Sequence, residues 1–550
     1  VAQRLPARAA SGARWASVTA LAPALILVGL LLGFFLIGLR LIDIGAGDLG
    51  IVGLFSTDEQ LAGQLVQTMI RHKDLGLSHF FSYGPLDLYA GRALLWAYGL
   101  FRTVSEESIV VALRLVSLAA GAGSACLVFV LGRKLWNSWT GLIAAAMVLS
   151  SSTFLAWSTT AHPDMLQLFW LLAGLLVAAK LAGDSLATER SRRCLLLVGA
   201  ACAGLAFATK YTGELLLPVL WLAAFLGRLG ASNDAGMARW RTQVRATAAD
   251  VVLSCAAFAA SFMALDPSAI GELRAFIYQM TLEAGLAHRG HLLQVSPDPA
   301  GWVRVLGSTG VIGPAGEAAG VIALAAWIYV DLRSVLRRSS DRRPLARLPL
   351  ELFTAVYLAL LLVWIGDQQP RYVLPALPGL CLAAAAGIVW LAQLVRPWSL
   401  AMAAGVAVLA IAPLLPPARA LAQSQLVRMR SPGVEQRIAA GDWLAANRTA
   451  DTTVVADAYS YVPSSFANVT QSFGLTPGLI ESVRPDIIIT DASIRDRFSD
   501  PAVANHYIDG PAAYQEIAST YTRLETANLA CYTTLESFGP VKIYGREREC

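Results

Sequence analysis

Through its first 418 residues the chain alternates long apolar stretches with short polar or basic connections. A helix that crosses a bilayer needs about 20 mostly apolar residues, and about eleven such runs are present. They fall at 17–40, 109–132, 139–157, 165–182, 194–210, 213–229, 247–265, 311–332, 349–366, 372–395 and 399–418. The first reads as a membrane helix rather than a cleaved signal peptide: its apolar run is long, and no small-residue cleavage site leads into a soluble domain.

Beyond Pro413-Leu414-Leu415-Pro416-Pro417 the pattern becomes that of a soluble domain. Residues 434–446 have helical periodicity with Trp443 as an anchor. Thr453–Ala456, Asp486–Thr490 and Pro540–Tyr544 are apolar runs of strand length. The fold class expected is a polytopic α-helical membrane protein with about eleven transmembrane helices and a C-terminal soluble α/β domain. The expected domains are 1–418 and 419–550.

Composition agrees. Of 550 residues, 56% are hydrophobic and only 15% charged, with a mean hydropathy of +0.55. Soluble domains carry about 25% charged residues, so disorder, a disulfide-rich secreted domain and a purely soluble enzyme are all disfavoured. The net charge of +5 is spread between apolar runs and gives no nucleic-acid footprint. Its distribution reports topology instead. Basic clusters recur in alternate loops: Arg4, Arg8 and Arg14; Arg133 and Lys134; Lys180, Arg190, Arg192 and Arg193; Arg228 to Arg245; Arg333 to Arg347; Arg396. Loops rich in Lys and Arg stay cytoplasmic, so the N-terminus is expected inside and, with an odd number of spans, the tail outside. The low Lys-to-Arg ratio and abundant Ala indicate a bacterial chain, and hence an inner-membrane protein with a periplasmic tail. Cys531 and Cys550 both lie in that tail, where they can pair or stay free. No glycine-rich phosphate loop is present there, and Asn468-Val469-Thr470 is a chance-level match to a glycosylation sequon.

The loops assigned to the outside gather ionisable groups, which at a membrane edge mark a site. The first, 41–107, holds Asp58 and Glu59. A carboxylate there can take a proton from an acceptor hydroxyl, and Asp58 is the first choice; Ser56-Thr57-Asp58-Glu59 before Leu61 also reads as a helix start. His162-Pro163-Asp164 precedes an apolar run and serves equally as a helix start or as a second carboxylate site. Lys210, one of five lysines, stands at an outer span end beside Tyr211, and Arg371 stands beside Tyr372 on the same side. Both cations suit a phosphate. The outer loop 266–310 carries Glu283, His288 and His291, the histidines three residues apart. Asp58, Asp164 and His291 are the candidate ligands for a divalent cation such as Mg or Mn, with no firm ligand set.

Several of these strings together resemble the GT-C superfamily of membrane glycosyltransferases, in the branch of the protein O-mannosyltransferases and the aminoarabinose transferase of lipid A. They are Thr57-Asp58-Glu59, Arg114, His162-Pro163-Asp164, Thr209-Lys210-Tyr211-Thr212-Gly213, and Arg371 to Pro378. The resemblance covers 17–395 well and the tail in general shape. It implies an inverting transfer of a hexose or pentose from a polyprenyl-phosphate donor to an acceptor glycan, lipid or protein on the outer face. Asp58 then matches the acid proposed as base and Asp164 the second acid, while Lys210 and Arg371 match the basic residues near the donor phosphate. The segment from Glu283 to His291 matches a loop that shapes the site. Two other readings stand beside it: a non-catalytic assembly or binding subunit of the same descent, and a lipid or solute transporter. The latter is disfavoured because no repeat relates the two halves and the charges lie at span ends.

Overall fold

A computed structural model describes residues 7–73, 81–184, 188–230, 237–290, 298–308, 310–337, 341–395, 432–505, 507, 509–526, 529 and 531–547. Among these, 8 helices are long and apolar enough to cross a membrane, or 9 when a bent pair is counted as one span. They coincide with the apolar runs read from the sequence, except that the run at 399–418 lies outside the described residues. The run at 194–210 is the helix Glu189–Phe207, whose first turn carries Glu189, Arg190 and Arg192. The run at 139–157 is not one straight span. It bends by 70° between Ser138–Ser150 and Ser152–Ser158, because the Ser151 hydroxyl caps the second helix at Phe154 N.

The helix Asp164–Gly183 packs against four others: Glu106–Leu135, Glu189–Phe207, Leu216–Gly230 and Arg343–Val363. Small residues bring the backbones together, as expected where lipid supplies no hydrophobic drive. A Cβ on Gly132 would stand 2.4 Å from Gly141 Cα, so the helices that carry them touch backbone to backbone. Away from the bundle centre the helices expose Leu25, Val252 and Ile322 as a lipid-facing surface would. At the end of the spans where basic loops cluster, buried cations are neutralised: Arg347 by Asp331 and Arg228 by Asp250 and Glu189.

The first outer loop is largely helical, with segments Leu49–Phe55, Thr57–His72 and Leu86–Gly99. The helix start read at Ser56 is present, since Ser56 Oγ accepts from Glu59 N. The loop at 266–310 likewise contains the helices Leu273–Arg289 and Pro299–Leu306.

The tail is a five-stranded sheet. Its strands are β1 Val454–Asp457, β2 Val469–Ser472, β3 Ile487–Asp491, β4 Tyr532–Phe538 and β5 Val541–Arg546, in the order β2-β1-β3-β5-β4. β1 runs parallel to β2 and β3, and β5 antiparallel to β3 and β4. β1 and β3 are buried throughout because both faces are covered. Ala440 and Leu444 of helix Pro432–Asn447 pack with Val454 and Ile487; Ile517 and Tyr521 of helix Gly510–Glu525 pack with Val455 and Ile488. Trp443 packs partly buried on the first of these clusters. Cys531 is disulfide-bonded, and Cys550 lies outside the described residues. The sheet domain seats on the membrane part: Tyr461 donates to Asp48 Oδ2 at 2.8 Å, and Leu54 packs with Val434 and Tyr461.

Candidate active site

Between the bundle end and the sheet domain lies a cavity of about 970 Å³. The first turn of helix Thr57–His72 presents Asp58 to it. Asp164 begins its helix directly after Pro163, and Lys210 precedes the short turn Tyr211–Leu215. Arg371 sits on the turn Pro370–Val373. A backbone clamp adds Tyr83: Gly84 N and Leu86 N donate to Thr209 O and Ala208 O, tying the first outer loop to the chain just before Lys210. Only glycine fits there, since a Cβ on Gly84 would stand 2.0 Å from Ala208 O.

These residues form one connected row of charged and polar side chains. Arg371 Nη1 lies 3.0 Å from Asp58 Oδ2 and 2.8 Å from His162 Nε2. His162 Nε2 and Tyr83 Oη each stand 3.3 Å from the same Asp58 oxygen. On the far side of the imidazole, His162 Nδ1 is 2.7 Å from Asp164 Oδ2, an approach too oblique to count as a hydrogen bond. The other oxygen of Asp164 accepts from Lys210 Nζ at 2.6 Å. Lys210 and Arg371 both lie over the Tyr372 ring, and Arg371 also over Trp157. Gln167 holds the Lys210 turn by donating to Lys210 O and Thr212 Oγ1.

Burial pushes the Asp58 carboxyl up, but His162 and Arg371 more than offset it and hold it well below the usual carboxylate range. Asp58 is therefore ionised, and its side chain is still one-third open (33%) to the cavity. Burial works against the charge of Arg371, yet the surrounding Tyr83, Tyr372, Asp164 and Asp58 raise it well above its ordinary value. Burial first, then the Asp58 charge, pushes the Tyr83 phenol up, so it stays a hydrogen-bond donor. A small void of about 20 Å³, room for about one water, joins Asp58 to Asp87. Asp87 has one oxygen without a partner among the described residues, and burial pushes its carboxyl up to about 7.

Asp58, Asp164, Lys210, Tyr211, Arg371, Tyr372 and Glu283 all line the cavity. Glu59 does not. It faces the opposite way, 2% exposed, and accepts from Arg114 Nε and Ala161 N at 2.6 Å and from Arg114 Nη2 at 2.9 Å. Its position is that of a buried structural partner, not of a group that meets substrate. His288 also turns away, stacked on Trp364 with Nδ1 2.6 Å from Trp364 O. His291 lies outside the described residues. Among the described residues no group of three His, Cys, Asp or Glu side chains is placed to hold a metal. Asp58 and Asp164 are each already matched by a cation, which is a poor fit to a divalent-cation site. His162 carried no role of its own in the sequence, although it lies in the string that drew attention to Asp164. Tyr83 and Asp87 gave only the turn signal of Tyr83-Gly84-Pro85.

Comparison with known proteins upholds the resemblance read from the sequence. Residues 93–234 match the family model described as dolichyl-phosphate-mannose-protein mannosyltransferase. Among solved structures, the chain is similar to ArnT from Cupriavidus metallidurans bound to undecaprenyl phosphate. The identity is 12% over 96% of this chain and 99% of that one, with a TM-score of 0.56. It is also similar to the archaeal oligosaccharyltransferase AglB from Archaeoglobus fulgidus, in complex with an inhibitory peptide and a dolichol-phosphate. There the identity is 14% over 95% of this chain and 74% of that one, with a TM-score of 0.54. No curated protein matches the sequence. The chain is thus a polytopic membrane protein with the GT-C fold, and its fold neighbours are glycosyltransferases.

Proposed function

We propose that this chain transfers a sugar from a polyprenyl-phosphate donor to an acceptor hydroxyl on the extracytoplasmic face of a bacterial inner membrane. The observation that carries the reading is one of assembly. Four separate strings bring Asp58, Asp164, Lys210 and Arg371, an open carboxylate, a second acid and two cations, to one cavity at one end of the spans. The basic loops lie at the opposite end, which supports a cytoplasmic N-terminus and an extracytoplasmic tail. The domain division that goes with this is 1–418 for the catalytic membrane part and 419–550 for the tail.

In the reaction Asp58 accepts the proton of the acceptor hydroxyl as its oxygen bonds to the anomeric carbon. The bond from that carbon to the phosphate oxygen breaks on the other face, so the configuration inverts. Lys210 and Arg371, steadied by Tyr372, counter the charge that develops on the leaving polyprenyl phosphate. Without donor these cations are held by Asp164 and Asp58, so an incoming phosphate competes for them. As it draws Arg371 away from Asp58, the carboxylate loses a partner that depresses its basicity, and becomes a better base when donor is in place.

The test compares glycans, glycolipids and glycoproteins from cells making the wild-type chain or Asp58→Asn at equal level. A sugar linkage present with wild type and missing with the variant supports the proposal. An unchanged profile contradicts it.

A further inference from the structure

The cavity has one wall that the row of charge does not use. The sheet domain contributes Arg497, Tyr459 and Phe473 to it. Phe498 is sunk in the core of that domain against Tyr514 and Tyr521, which leaves its neighbour Arg497 directed to the cavity. Arg497 Nε donates to Ser493 O at 2.8 Å, fixing the guanidinium plane. The group lies over the rings of Phe473 and Tyr459, with its carbon 4.9 and 5.7 Å from their centroids.

Three features separate this cluster from ordinary surface. Phe473 is 37% exposed, an open aromatic face on the cavity wall. Tyr459 has φ +68°, a left-handed conformation that a bulky side chain rarely adopts and that gathers at ligand-holding positions. Lys210 and Arg371 are matched by carboxylates, but Arg497 has none within 4.0 Å among the described residues, and its two terminal nitrogens have no hydrogen-bond partner there. Arg289, from the membrane part, also lines the cavity without a carboxylate partner among the described residues. The wall therefore offers a planar two-pronged donor framed by aromatic faces, with a second cation available.

We propose that Arg497, framed by Tyr459 and Phe473, forms an acceptor subsite for a saccharide that bears a carboxylate or a phosphate. A guanidinium pairs with either anion bidentately, and open aromatic faces cover the apolar face of a sugar ring. The subsite rests on the transferase reading for its role but occupies different residues from the donor cations. It gives the tail domain a part in choosing the acceptor: saccharides that carry an anion are held, and neutral ones are not.

The experiment measures binding of three probes to the full chain in lipid nanodiscs by saturation-transfer NMR: methyl glucuronide, glucose 6-phosphate and methyl glucoside. The expected result is at least tenfold tighter binding of one or both anionic probes than of the glucoside. The two anionic arms tell carboxylate from phosphate. Arg497→Gln abolishes that preference, and Phe473→Ala weakens all binding by several fold. Asp58→Asn keeps the preference, because binding does not need the base. Equal affinity for all three probes, or a preference that survives Arg497→Gln, overturns the subsite. Retention of undecaprenyl phosphate is measured in parallel. Arg497→Gln leaves it intact, whereas its loss or persistence in a Lys210→Ala, Arg371→Ala variant bears on the transferase reading alone.

Discussion

Asp58 and Glu59 are adjacent carboxylates with opposite fates, and replacing each by its amide separates chemistry from stability. Glu59 receives three hydrogen bonds, two from Arg114 and one from Ala161 N. The Nη1 of Arg114 in turn donates to Ile42 O and Ile44 O at 2.8 and 2.6 Å. This buried clamp joins the end of the first span, the helix Glu106–Leu135 and the loop before His162. In Glu59→Gln one oxygen becomes a donor that faces the guanidinium, and the Arg114 charge stays buried without its counterion. Breaking such a pair costs about 3–5 kcal/mol. At about 2 °C per kcal/mol for a large domain, the thermal midpoint falls by about 6–10 °C. Asp58 is one-third open to the cavity and its Arg371 partner keeps the contact with His162, so Asp58→Asn lowers the midpoint by less than Glu59→Gln does while abolishing transfer. Intrinsic fluorescence on heating, in one detergent, reads both. A Glu59→Gln protein as stable as wild type, or an Asp58→Asn protein that melts like the Glu59 variant, would refute this division of labour.

Three further outcomes follow from the same geometry. Because Asp58 lies below the usual carboxylate range, kcat/KM shows no acid limb from it between pH 5 and 8; loss of one proton-dependent step in that window, still present in Asp87→Asn, would contradict the assignment. Asp87 keeps its proton up to about 7 in the folded chain but near 4 when unfolded, so its stability contribution is full below pH 4 and declines as pH rises to 7; Asp87→Asn raises the thermal midpoint at pH 8 and leaves it unchanged at pH 4. Gly84→Ala sets a methyl against Ala208 O, which neither backbone can avoid; disordering of the clamp near Tyr83 and Lys210 appears as faster amide exchange at Gly84 and Leu86 and weaker donor retention.

Much of the membrane part was legible because a span is a length of apolar sequence, and length survives any packing arrangement. The end of each span then placed Asp58, Asp164, Lys210 and Arg371 on one side by counting. Helix rotation is what counting lacks. It turns Asp58 to the cavity and Glu59 to Arg114, a choice one residue wide. The bend at Ser151 was hidden inside an unbroken apolar run, since a hydroxyl cap is a local hydrogen bond with no hydropathic trace. In the tail, β1, β3 and β5 were readable as buried or half-buried apolar runs. β2 and β4 were not: Val469–Ser472 is only partly buried, and Tyr532–Phe538 exposes most of its length. Arg497 gave no signal either, lying among the charges of Arg495-Asp496-Arg497; the buried Phe498 beside it and the hydrogen bond to Ser493 O set its direction.

In the proposed reaction Lys210 and Arg371 receive a polyprenyl-phosphate sugar. The most direct measurement is mass spectrometry of the lipids that co-purify with the detergent-solubilised chain, wild type against the Lys210→Ala, Arg371→Ala variant. The expected result is a polyprenyl-phosphate sugar held by the wild type and lost from the variant, its mass naming the sugar. No such lipid on the wild type, or equal amounts on both, contradicts it.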